Sequence, residues 1–122
     1  MIGQFIAVLF LARDLAHRAH LRTTGKGSGW RHDTLGKFYE EVIDLADELT
    51  ETYQGAKLKL IDIPLLDNEF GDEILESMKA QRKWLQSNRY KAVDKEDTHL
   101  QNIIDEIIAL YDRSIFKLNF LE

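Results

Sequence analysis

Between Gly55 and Gly71 the chain reads GAKLKLIDIPLLDNEFG, with Lys, Leu, Ile and Asp alternating, the only proline at position 64, and no apolar repeat at three and four residues. Such a segment is extended or irregular. Strong helical patterns flank it on both sides. At up to about 3.3 Å per residue it reaches about 50 Å, whereas the helix before it, residues 31–53, is about 30 Å long at about 1.5 Å per residue. The segment can therefore travel the whole length of a helical bundle, a reach that a tight antiparallel turn does not need.

Working outward from it, the preceding helix carries Leu35, Phe38, Val42, Ala46, Leu49 and Tyr53 on one stripe, with Gly55 as its expected stop signal. An earlier helix, from Ile2 to about Arg22, repeats apolar residues at Phe5, Ile6, Leu9, Ala12, Ala16 and Ala19. It breaks at Thr23-Thr24-Gly25-Lys26-Gly27-Ser28-Gly29, a hinge that lacks the Walker order of a phosphate loop. After the long linker, a third helix over about residues 72–89 turns Ile74, Leu75, Met78 and Leu85 inward. A fourth starts at the capping cluster Asp94 to Thr98 and buries Leu100, Ile103, Ile104, Ile107, Ile108, Tyr111, Ile115 and Leu118. Two short hairpins joined by a long crossover predict an all-α, ferritin-like four-helix bundle, with residues 1–122 as a single domain.

The 122 residues, 44% apolar with one proline, suit one core and not two. A net charge of −5 without a basic tail predicts no DNA binding. The apolar run Phe5–Leu11 lacks a basic leader, ends in Ala12-Arg13-Asp14 and is too short to span a bilayer, which predicts a cytoplasmic protein with no membrane partner. With no cysteine, any metal must be held by His, Asp or Glu, which favours iron, manganese or zinc.

Those residues gather on the first two helices. The second helix carries Glu40, Glu41, Asp44, Asp47, Glu48 and Glu51 with no base from Glu40 to Gly55, whereas Arg13, Arg18, Arg22, Lys26, Arg31 and Lys37 precede them. His20 ends the first helix and His32 begins the second, so closing the hairpin lets the two imidazoles approach. Asp47 and Glu51, at i and i+4, project together from a face turned away from the core stripe. His32 and Asp47 lie fifteen residues apart, about 22 Å along a helix, so one chain cannot bring all four to one ion. A two-fold axis laying two hairpins antiparallel sets His20 and His32 of one subunit opposite Asp47 and Glu51 of the other, giving two equivalent sites in a homo-oligomer. His17 and Asp44 are possible additional ligands.

The run His20-Leu21 through Trp30-Arg31-His32 to Asp47-Glu48-Leu49-Thr50-Glu51 and Gly55 resembles the ferroxidase segment of the Dps miniferritins. Those proteins space His, His, Asp and Glu by twelve, fifteen and four residues, as His20, His32, Asp47 and Glu51 are spaced here. The chain looks still more like small bacteriophage proteins that read as shortened Dps relatives. The resemblance implies an iron-binding protein that oxidises Fe²⁺ between two-fold-related subunits, a dodecameric assembly, and a bacterial or phage-infected host cytoplasm. Gly36 stands where family members usually carry an acid, and Leu21 where an aromatic is usual.

The remaining features are weaker. Glu96 and His99 have the spacing of di-iron bundles without a matching pair on the second helix, so a helix cap is expected there. Trp84, Tyr39, Tyr53 and Phe116 are expected in core or interface packing. No nucleophile, base and orienter set can be assembled. A second function class also fits: a non-catalytic helical interaction or assembly protein of phage type with an incomplete metal site. That reading expects His20 and His32 splayed and Asp47 paired with Arg22 or Arg31.

Overall fold

The structure, a computed structural model, describes residues 1–121. Four helices form in the expected order: α1 (Ile2–Leu21), α2 (Ser28–Lys57), α3 (Ile74–Ala92) and α4 (Thr98–Phe120). No strand occurs among the described residues. The apolar stripes read from the sequence become one continuous core. Phe5, Leu9, Phe38, Leu49, Met78, Leu85, Ile104 and Tyr111 are all fully buried in it. Phe38 meets Tyr111 edge to face, ring centroids 4.9 Å apart, tying α2 to α4.

Each helix touches two neighbours. α1 packs on α2 and α3, and α4 packs on the same two, while α2 and α3 sit diagonally without contact. The linker explains this. Its start is held where the Ile61 amide donates to Gln54 Oε1 at 2.9 Å. It crosses the beginning of α1 at Gly3, where a Cβ would collide with the Asp62 carbonyl oxygen. Ile63 to Leu66 then run beside Ala7, Phe10 and Leu11, and Gly71 and Asp72 lie beside Leu15, Arg18 and Arg22. The linker thus climbs the full length of α1 and delivers α3 parallel to α2. The long crossover is present, and no helix interrupts residues 58–73.

Two local expectations need correction. Gly55 does not stop α2, which runs on to Lys57 and ends with Leu58 in the left-handed region (φ 52°). The last turn is retained because Lys57 Nζ donates to Asp97 Oδ2 at 2.7 Å, docking it on the α3–α4 turn. Phe116, expected in core or interface packing, is 54% exposed and 5.6 Å from the ring of Phe120. Glu96 does not cap α4 either. Asp97 is the N-cap residue, and it makes no side-chain cap bond because its carboxylate is engaged by Lys57.

At the α1–α2 turn the hinge reading fits the backbone, with Gly25 (φ 89°) and Gly27 (φ 78°) in conformations that disfavour a Cβ. Among the described residues no helix is long and apolar enough to cross a membrane.

Candidate metal centre at the α1–α2 hairpin

The hairpin turn places the last turn of α1 against the first turns of α2, and His20 and His32 meet there. Their rings stack with centroids 3.6 Å apart and planes 24° from parallel. The Nδ1 of His20 bonds the carbonyl oxygen of His32 at 2.7 Å, and the Nδ1 of His32 bonds the carbonyl oxygen of His20 at 3.0 Å. A carbonyl oxygen only accepts, so each Nδ1 carries the proton and donates. In a neutral imidazole that tautomer puts the lone pair on Nε2, the atom through which such a histidine ligates a metal.

Two further rings support the pair. His17, one turn before His20, stacks on Tyr39 with centroids 4.4 Å apart. Tyr39 and His20 meet edge to face with centroids 5.4 Å apart. Gly36 lies against His20: a Cβ there would stand 3.1 Å from Cε1 and 3.3 Å from Nδ1. The roles of Tyr39 and Gly36 escaped the sequence reading. An interior helical glycine, which ordinarily weakens a helix, was the available signal of a close approach.

Asp44, Asp47 and Glu51 are exposed toward the far end of α2. Separations of twelve, fifteen and nineteen residues put Asp44, Asp47 and Glu51 about 18, 22 and 28 Å along the helix from His32. Among the described residues no three His, Cys, Asp or Glu side chains of one chain come close enough to share an ion. On a helical projection Asp47 lies about 60° from His32 and Glu51 about 40° further, so all three face the same side of α2. Elsewhere on this hairpin Asp14 pairs with Arg18, Asp33 with Lys37 and Glu41 with Arg113, while Glu40 and Glu48 form no ion pair among the described residues. Asp44, Asp47 and Glu51, like Arg22 and Arg31, form no ion pair among the described residues. The hairpin therefore ends in unpaired bases beside the imidazoles and unpaired acids at the opposite end. His99, far along the chain on α4, is exposed, as is Glu96.

The donor chemistry suits a divalent transition ion. Two neutral imidazoles and two carboxylates supply borderline and hard donors of the kind used for iron, manganese or zinc. Residues 20–118 match a family described as a family of unknown function (DUF5856). No curated protein and no solved structure matches the chain.

Proposed function

The chain belongs to the DUF5856 family, and from its own residues we propose that it is a Dps-like iron-binding protein whose sites are completed between two copies. His20 and His32 of one subunit and Asp47 and Glu51 of the other are the ligands. The observation that carries this reading is the stacking of His20 on His32 with both Nδ1 atoms on backbone carbonyls, which directs the neutral imidazoles to offer Nε2 to an ion. The unpaired acids and bases at opposite ends of the hairpin favour the antiparallel two-fold contact.

Fe²⁺ is the substrate in this reading. Two Fe²⁺, one in each of the two equivalent sites of an interface, give up two electrons. One hydrogen peroxide takes them with two protons and leaves as two waters, and the carboxylates stabilise the Fe³⁺ produced. Anaerobic Fe²⁺ titration followed by peroxide, with His32→Ala alongside, tests it. Saturable binding and a fast ferric absorbance, both lost in the variant, are expected; wild-type binding no greater than the variant's sinks the proposal.

A second reading, a non-catalytic oligomeric assembly protein, draws on exposed large apolar side chains: Leu21 at 70%, Leu58 at 91% and Leu65 fully exposed. Against it, His20 and His32 are stacked where that reading expects them splayed, and Asp47 has no arginine partner.

A further inference from the structure

We infer that Gly36 is a positioning residue for the imidazole pair, and that its presence restricts each site to a single ion. The ring of His20 is held on three sides: by the His32 carbonyl that its Nδ1 contacts at 2.7 Å, by the stacked ring of His32 at 3.6 Å, and by the T-shaped contact with Tyr39. Its fourth side is α2 itself, and there the backbone at Gly36 lets the ring come in close. A Cβ at 36 would press on Cε1 and Nδ1 at 3.1 and 3.3 Å, shorter than ordinary van der Waals contact. The ring would have to give by a few tenths of an ångström, against its bond to His32 and its stack.

Every non-glycine residue has that Cβ, so a carboxylate at 36 pushes the His20 ring by a few tenths of an ångström and loosens the stacked pair. The chain holds the pair. It has no acid one turn after His32 with which to hold a second ion, and its imidazoles are preorganised before an ion binds. The positioning role stands on the geometry of the free protein, whereas the one-ion stoichiometry rests on the metal-site reading above.

The test uses Gly36→Ala, His20→Ala and the double variant, with His99→Ala as a control away from the hairpin. In metal-free protein, proton NMR of the wild type should show two protected imidazole Nδ1–H resonances, lost or strongly shifted in Gly36→Ala. Thermal melting should give a sign reversal: Gly36→Ala lowers Tm when His20 is present and raises it in the His20→Ala background, where only the gain in helix propensity remains. Co²⁺ titration should saturate at one ion per chain in the wild type and in His99→Ala, with at least tenfold weaker binding in Gly36→Ala.

Unchanged Nδ1–H resonances in Gly36→Ala, or the same sign of Tm change in both backgrounds, overturn the positioning role. Saturation at two Co²⁺ per chain overturns the single-ion restriction. If the NMR and melting results hold while the wild type binds no Co²⁺, the positioning role stands and the metal-site reading falls.

Discussion

The phenol of Tyr111 donates to Gln81 Oε1 at 2.7 Å, and the Gln81 amide donates in turn to Ser77 Oγ at 3.0 Å, a polar relay in the middle of an apolar core. Tyr111 is fully buried, and burial pushes its hydroxyl far above the ordinary tyrosine range. The folded chain keeps a proton that the unfolded chain releases near pH 10. Stability from this group is therefore complete below about pH 10 and falls as pH rises beyond it. Tyr111→Phe should flatten that alkaline loss, while costing about 1–3 kcal/mol at neutral pH because Gln81 Oε1 loses its donor. Urea unfolding at a series of pH values checks both. An alkaline slope unchanged by the substitution would show that Tyr111 does not carry it.

Arg89 governs the α3–α4 corner. Its Nε donates to Gln101 Oε1 at 2.9 Å and its Nη2 to the Gln101 carbonyl oxygen at 3.0 Å and Asp105 Oδ1 at 2.6 Å. Gln101 Nε2 then donates to the Val93 carbonyl oxygen at 2.9 Å. The arginine side chain is 8% exposed but Asp105 is 61% exposed, so water can replace the arginine around Asp105 far more easily than around Gln101. Arg89→Leu should cost about 2–4 kcal/mol through stranded buried acceptors. Asp105→Asn should cost no more than about 1 kcal/mol, the range of exposed ion pairs. Equal losses in denaturant unfolding would refute this division.

Two glycines predict opposite signs. At Gly3 a Cβ would run into the Asp62 carbonyl, which is backbone and cannot rotate away. Gly3→Ala should thus destabilise the protein despite the better helix former, and should raise amide exchange across residues 60–66 as the linker lifts. At Gly55 nothing lies within 4 Å of the added carbon. Gly55→Ala, in the last turns of α2, should gain up to about 1 kcal/mol. Thermal melts of the two variants suffice, and a stabilised Gly3→Ala would remove the linker contact from the account of the fold.

What was legible in the sequence follows from how local each signal is. The stripes Phe5–Leu9–Ala12–Ala16 and Leu35–Phe38–Val42–Ala46–Leu49 repeat along one chain segment, so they announced both helices and their inner faces. The linker announced its crossover through length alone. The end of α2 was misread because Gly55 resembles a stop, while the contact that carries the helix past it, Lys57 to Asp97, joins segments far apart in sequence. In the candidate centre, the approach of His20 to His32 was readable from the hairpin. Gly36 and Tyr39 were not, because their contacts depend on the spacing between two helix axes.

The proposed sharing of a site between chains makes a prediction that no single-chain site can imitate. His32→Ala keeps Asp47 and Glu51 but lacks one imidazole, whereas the double variant Asp47→Asn with Glu51→Gln keeps both imidazoles and lacks the carboxylates. Each alone should bind no Fe²⁺ above background. In a dimer containing one of each, the imidazoles of the second chain face the carboxylates of the first, and that site is whole; the other site of the same dimer lacks both contributions. Dissociated and reassociated in equal amounts, random pairing makes half the dimers mixed, so about one quarter of the wild-type sites should return. Anaerobic Fe²⁺ titration of the mixture reads this directly. Recovery near one quarter supports ligands drawn from two subunits, while no recovery would place the histidines and the Asp47–Glu51 pair in unrelated roles.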